Sequence, residues 1–191
     1  MNCDGTKFSI IDINGIVSFY DLTSDADGNA GVGQHLPIEK KEVWSIIWSV
    51  DNPSICAMME KNRLIVMKDF ESEEPILSAG YLCDFTDLEV KSVLLDEILK
   101  DPEEIKTISD MFVAYEQKYL RETREILTNA NLKEAVDFVE KNTHPRLWKL
   151  ITEASLDKLN YGVAERAFVK NEDYQGVQLI LKLNNMDEKV K

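Results

Sequence analysis

The sequence is poor in the residues on which most active-site chemistry depends. Histidine occurs twice (His35, His144) and cysteine three times (Cys3, Cys56, Cys83) in 191 residues. No C-x-x-C pair or zinc-like spacing gathers them, so they read as scattered residues with reduced thiols, as in a cytosolic protein. Cys56 and Cys83 fall in apolar runs and are expected in the core. Basic side chains are outnumbered, with 22 Lys and Arg against 35 Asp and Glu and a formal charge of -13. That balance argues against nucleic acid and against an anionic membrane surface, both of which require a basic face. No run approaches the roughly 18 apolar residues of a membrane span, and the first residues lack the basic and apolar regions of a signal peptide.

Catalytic signatures are missing too. There is no G-x-S-x-G, and Gly28-x-x-Gly31-x-Gly33 lacks the Lys and Ser/Thr of a phosphate-cradling loop. Asp25-x-Asp27-Gly28-Asn29 begins like a calcium loop, but Ala30 stands where that loop needs glycine and Leu36 where it needs glutamate. Glu71-Ser72-Glu73-Glu74-Pro75 reads as a solvated charge run. No catalytic residue, metal ligand or cofactor is nominated.

What is present changes character halfway. Residues 1–93 carry 16 acidic and 7 basic side chains, and residues 94–191 carry 19 and 15. The first part shows short β-branched and aromatic runs every 8 to 12 residues, the spacing of an all-β domain. Strands are expected at 7–12, 16–20, 43–48, 55–60, 63–68, 80–85 and 89–94, with a polar loop from Thr23 to about Lys40. Asn14-Gly15 predicts a type I′ hairpin turn between the first two. Beyond it, Tyr20-Asp21 closes the second strand where a WD-repeat blade ends in Trp-Asp, so Gly15, Tyr20 and Asp21 form a WD-like blade end. One partial and one fuller blade do not make a ring of four to eight, so the tail of a larger propeller is expected.

The second part has helical periodicity. Asp101-Pro102 marks a helix start. Over the connector at 101–119, Phe112 and Tyr115 fit a helix, although Met111–Val113 also fit an extended segment. Asn131 and Glu134 form a capping box, followed by an apolar face of Leu132, Ala135, Val136 and Val139. His144-Pro145 opens a helix with Leu147, Trp148, Leu150, Ile151, Ala154 and Leu159 on its apolar face. Asn160 caps one carrying Ala164, Ala167 and Phe168, and Asp173 caps one carrying Val177, Ile180, Leu181 and Leu183. Trp148, Ile151, Ala164 and Phe168 reproduce the tetratricopeptide register W-x2-L…A-x3-F, in which a small alanine admits the second helix close to the first.

The expected organisation is therefore all-β followed by all-α. Residues 1–100 form the C-terminal WD-repeat blades of an incomplete propeller, 101–119 a connector, and 120–191 the first hairpins of a TPR-like α-solenoid. Blades and solenoid units both need neighbours, so the chain is expected to be a window of a longer protein.

Several stretches then resemble one family. Glu73-Glu74-Pro75-Ile76, Gly80 through Glu103, Asp51-Asn52-Pro53, Ala57 through Lys61, His144 through Trp148, Ala164-Glu165-x-Ala167-Phe168-Val169 and Asp173 through Gly176 are similar to the WD repeat-containing protein 35 family. That resemblance implies two propellers and a long helical solenoid. It also implies a subunit of intraflagellar transport complex A that binds other subunits and, indirectly, motor proteins and ciliary membrane cargo. The expected role is a non-catalytic scaffold in retrograde transport, membrane-cargo entry and cilium assembly, at the axoneme, basal body and cytoplasm. A coatomer-like vesicle-coat scaffold shares this architecture, and an enzyme using the acidic loop as a metal site is the alternative of another class.

Overall fold

The computed structural model describes residues 1–23, 33–100, 111–129 and 131–190, the last four by their backbone alone. The chain divides into two units, Met1–Gln117 and Lys118–Lys191.

The first unit is built of antiparallel sheets. The first holds β1 (Lys7–Ile11), β2 (Val17–Asp21) and β3 (Gln34–Lys40) in that order. The second runs β4 (Val43–Trp48), β5 (Ile55–Glu60), β6 (Arg63–Lys68) and β7 (Glu71–Ser72), and β8 (Ile76–Leu77) also pairs with β6. The third runs β11 (Phe112–Glu116), β10 (Glu89–Val93) and β9 (Tyr81–Thr86). Side-chain alternation shows how they stack. Every residue of β5 from Ile55 to Met59 is buried, and so are Leu64 to Met67 of β6. A strand buried on both faces lies in a middle layer, because successive side chains point to opposite sides. One face, with Trp48, Cys56, Met58, Ile65 and Met67, packs on Val17 and Phe19 of the first sheet. Against the second sheet on its other side, the third contributes its end strand β9, next to β4 and β5, and buries Phe85, Leu88 and Val90.

Three strands fall outside the sequence reading, and a fourth, β11, takes the extended alternative left open in the connector. β3 lies where a polar loop was expected, and its exposed and half-buried residues, with Pro37 among them, carry the weak signal of an edge strand. β7 and β8 have two residues each, so Glu71 and Ser72 of the expected solvated run are paired, though exposed. In the connector, Phe112–Glu116 is extended and pairs with β10. The helix start at Asp101-Pro102 and the calcium-like and glycine-rich stretch from Asp25 to Gly31 lie outside the described residues. Between them, α1 (Leu95–Lys100) forms a short helix with no buried residue.

The turns also differ in type. Asn14 does not have positive φ; Gly15 does, at +75°. The Gly15 N–H donates to the Asp12 carbonyl at 3.0 Å. This is a type I turn followed by a left-handed glycine, not type I′. Among the described residues, the two-residue turns with positive φ at both positions are Asp69-Phe70 and Asp87-Leu88. Neither has glycine or asparagine, so the sequence does not announce them. Leu88 is buried there and Phe70 packs on the core, which offsets backbone cost.

The second unit holds α2 (Lys118–Asn129), α3 (Leu132–Lys141), α4 (Pro145–Asp157), α5 (Tyr161–Lys170) and α6 (Tyr174–Val190). Consecutive helices pack against each other, and α2 also meets α4. Leu132, Ala135, Val136 and Val139 are buried as their spacing predicts. Asn131 is the N-cap, but its side chain makes no cap hydrogen bond, so the capping box does not close; its carbonyl takes the Glu134 and Ala135 N–H groups. Leu159 and Leu181 are exposed instead of lying on apolar faces. Leu159 falls just past the end of α4 with φ +53°, outside the helical period that the spacing assumed.

Candidate functional site

The residues singled out at the blade end sit at a hairpin that ties two sheets together. The Asp12 carboxylate accepts from the N–H groups of Asn14 (2.9 Å) and Ile16 (2.7 Å) and from the Asn14 side-chain amide (3.1 Å). These bonds hold its carboxyl below the usual range, with the Ile16 N–H contributing most. The Gly15 carbonyl then accepts from Val43 N–H at 2.9 Å, where β4 begins. A Cβ on Gly15 would stand 3.1 Å from the Val43 carbonyl oxygen, so close approach as well as φ favours glycine. Tyr20 stacks on Phe8 across the strand pair, ring centroids 4.7 Å apart, and meets His35 edge-on at 5.1 Å. Asp21 accepts from the Thr23 hydroxyl (2.7 Å) and N–H (2.9 Å), which lower its carboxyl in that order.

Similar ties join the other layers. Trp48 Nε1 donates to Ser9 Oγ at 3.0 Å, second sheet to first. Between the second and third sheets, Asp51 accepts from the Ser49 hydroxyl and the Asp87 N–H, both at 2.6 Å. Val50 N–H donates to the Phe85 carbonyl at 3.0 Å. At the exposed end of β4, Trp44 Nε1 donates to the Lys61 carbonyl, and its ring meets Tyr81 edge-on at 5.1 Å.

In the helical unit Trp148 is 2% exposed, and Ile151 and Ala164 are fully buried. Trp148 Nε1 donates to Thr143 Oγ1 at 3.3 Å. Ala164 and Ala167 are the buried residues of α5, and α4 packs on α5 more extensively than any other helix pair here. Phe168 is half-buried, and its ring reaches the next helix, where a Cβ on Gly176 would stand 2.0 Å from Phe168 Cδ1. Gly176 therefore belongs with the four register residues, although the tetratricopeptide pattern does not include it. His144 caps α4, its Nδ1 accepting from Arg146 N–H at 3.1 Å. Two buried hydroxyls are bonded back into the same helix, Thr152 to the Trp148 carbonyl and Ser155 to that of Thr152. Their polarity hid them from an apolar-period search.

The thiols are spread through the first unit. Cys56 is buried and its pKa is pushed up to about 12 by desolvation, which leaves it a protonated core residue. Cys83 is exposed, not core, because it is the extra residue of a bulge in β9, where Asp84 pairs with Lys91 and Leu82 with Ser92 and Cys83 has no partner in register. Among the described residues, no group of three or more His, Cys, Asp or Glu is placed to hold a metal ion, and no helix is long and apolar enough to cross a membrane. The arrangement is one of packing surfaces and hydrogen-bonded ties.

The family described as WDR35 second beta-propeller matches residues 1–116, ending with β11. WD repeat-containing protein 35 of Mus musculus is 44% identical over 189 residues, covering 97% of this chain and 16% of the mouse protein. The Homo sapiens protein of that name is 45% identical over 184 residues, covering 95% of this chain and 15% of its own length. The chain thus spans about a sixth of the length of these relatives.

Proposed function

The chain belongs to the WDR35 second beta-propeller family, and from that membership we propose that it serves as a non-catalytic scaffold segment of a subunit of intraflagellar transport complex A. The observation that carries the reading is the match of the whole sheet unit to that family, continued by 44% identity across 97% of the chain, helices included. The role is to present sheet surfaces and helical hairpins to other subunits of the complex. It supports retrograde transport, entry of membrane cargo and cilium assembly, with motor proteins and cargo engaged indirectly. The place of action is the ciliary axoneme, the basal body and the cytoplasm, with no cofactor and no nucleic acid involved. Packing supports this reading, since Trp148, Ile151 and Ala164 are buried where α4 packs on α5, and the half-buried Phe168 reaches Gly176 of α6, one helix onward.

Proximity labelling from the tagged protein in ciliated cells tests the proposal. Labelled neighbours at the ciliary base and axoneme are the expected result. A set dominated by Golgi membrane proteins would assign the chain to a vesicle coat.

A further inference from the structure

Asn14-Gly15 is the one Asn-Gly step in the sequence, and it occupies the tip of the β1–β2 hairpin beside a fully exposed Ile13. Asparagine followed by glycine is chemically labile, because no side chain shields the glycine nitrogen from the neighbouring amide carbon. We propose that Asn14 is a deamidation site, restrained by Asp12, through which ageing of the chain loosens the tie between the first and second sheets.

The step balances without a cofactor. The Gly15 peptide nitrogen gives up its proton and attacks Asn14 Cγ. The bond to Nδ2 breaks, and the nitrogen leaves as ammonia carrying the displaced proton. The resulting succinimide takes up one water, which opens it at either carbonyl to aspartate or isoaspartate. Two contacts oppose the attack in the folded hairpin. Gly15 N–H is committed to the Asp12 carbonyl at 3.0 Å. The Asn14 amide donates to Asp12 Oδ2 at 3.1 Å, which fixes its rotamer and, by adding electron density, makes Cγ less electrophilic. Asp12 thus sets the rate.

The product disturbs the same contacts. A carboxylate at position 14 replaces a donor to Asp12 with a like charge. The isoaspartyl form also inserts a carbon into the backbone just ahead of Gly15. The Gly15 carbonyl is the acceptor for Val43 N–H at 2.9 Å, and Val43 is buried at the start of β4. Conversion therefore displaces the acceptor that links the sheets.

The test holds the folded 191-residue chain in warm, mildly alkaline buffer and follows each asparagine by peptide mass spectrometry, with enzymatic methylation to mark isoaspartate. Asn14 converts first, and the converted fraction melts lower than the unconverted one. Asp12→Asn retains an acceptor for the Asn14 and Ile16 N–H groups but loses the carboxylate, and its Asn14 converts several-fold faster. Another asparagine converting ahead of Asn14 in the wild-type chain overturns the proposal. So does an unchanged rate in a folded Asp12→Asn variant. If that variant fails to fold, the order of conversion in the wild-type chain decides.

Discussion

Leu159 and Glu172 occupy equivalent positions just beyond α4 and α5, at φ +53° and +57°. The next residue closes each turn, Asn160 N–H bonding the Ser155 carbonyl at 2.8 Å and Asp173 N–H the Phe168 carbonyl at 3.0 Å. This is the wide loop that usually carries glycine in the left-handed position. Leu159 is 70% exposed, so little burial compensates its backbone. Leu159→Gly is expected to stabilise the helical unit by about 0.5–1 kcal/mol, the left-handed penalty less the added chain entropy; a chemical melt followed by circular dichroism measures it. Gly176→Ala should act the other way. Its Cβ falls inside the van der Waals envelope of the Phe168 ring, and overpacking of this kind costs about 1–3 kcal/mol. Trp148→Ala removes a large buried side chain and should cost about 3–5 kcal/mol in the same assay. A change near zero would contradict its placement. The Trp148 position was legible from spacing, since a helix repeats its face every 3.6 residues. Gly176 and Leu159 were not, because their roles depend on contacts across helices and on backbone angles that no periodicity records.

Among the elements, the turns carry the pH dependence. Asp4, Asp12 and Asp21 each accept hydrogen bonds from their own turn, chiefly from the Thr6 hydroxyl, the Ile16 N–H and the Thr23 hydroxyl, and each carboxyl lies below its ordinary value of 3.8. A carboxyl that binds its proton less readily when folded adds stability above the unfolded value and loses it as pH falls through the lower, folded one. The first unit should therefore melt progressively lower below about pH 4, and Asp12→Asn should show a flatter acid limb. Thermal melts across that range decide the matter, and parallel curves for the two proteins would remove Asp12 from the account. Strand and helix positions were largely readable, because β-branched runs and helical faces are local. The edge strands were not. β3 and β7 bury little, so their residues are polar or charged and resemble loop; they are strands only because β2 and β6 offer them hydrogen bonds. The hairpin at Asn14-Gly15 was found in the right place with the wrong turn, as Asp12 draws two N–H groups to its carboxylate and favours the longer loop.

Across the whole molecule the charge is divided as sharply as the fold. Residues 1–117 hold 23 acidic and 9 basic side chains, and residues 118–191 hold 12 and 13. The net charge of -13 thus arises in the sheet unit, where self-repulsion opposes the compact state. Salt screens such repulsion, so backbone amides in β5 and β6 should gain more exchange protection between low and moderate salt than those in α3 and α4. Equal gains in both units would contradict the division. The same partition bears on function, since layered sheets and stacked hairpins offer broad surfaces while the thiols and histidines stand apart. The most direct measurement of that claim is quantitative affinity purification of the tagged protein from ciliated cells. The account predicts recovery of the other subunits of intraflagellar transport complex A in near-equal amounts with the bait; recovery of coatomer subunits in their place, with complex A absent, would contradict it.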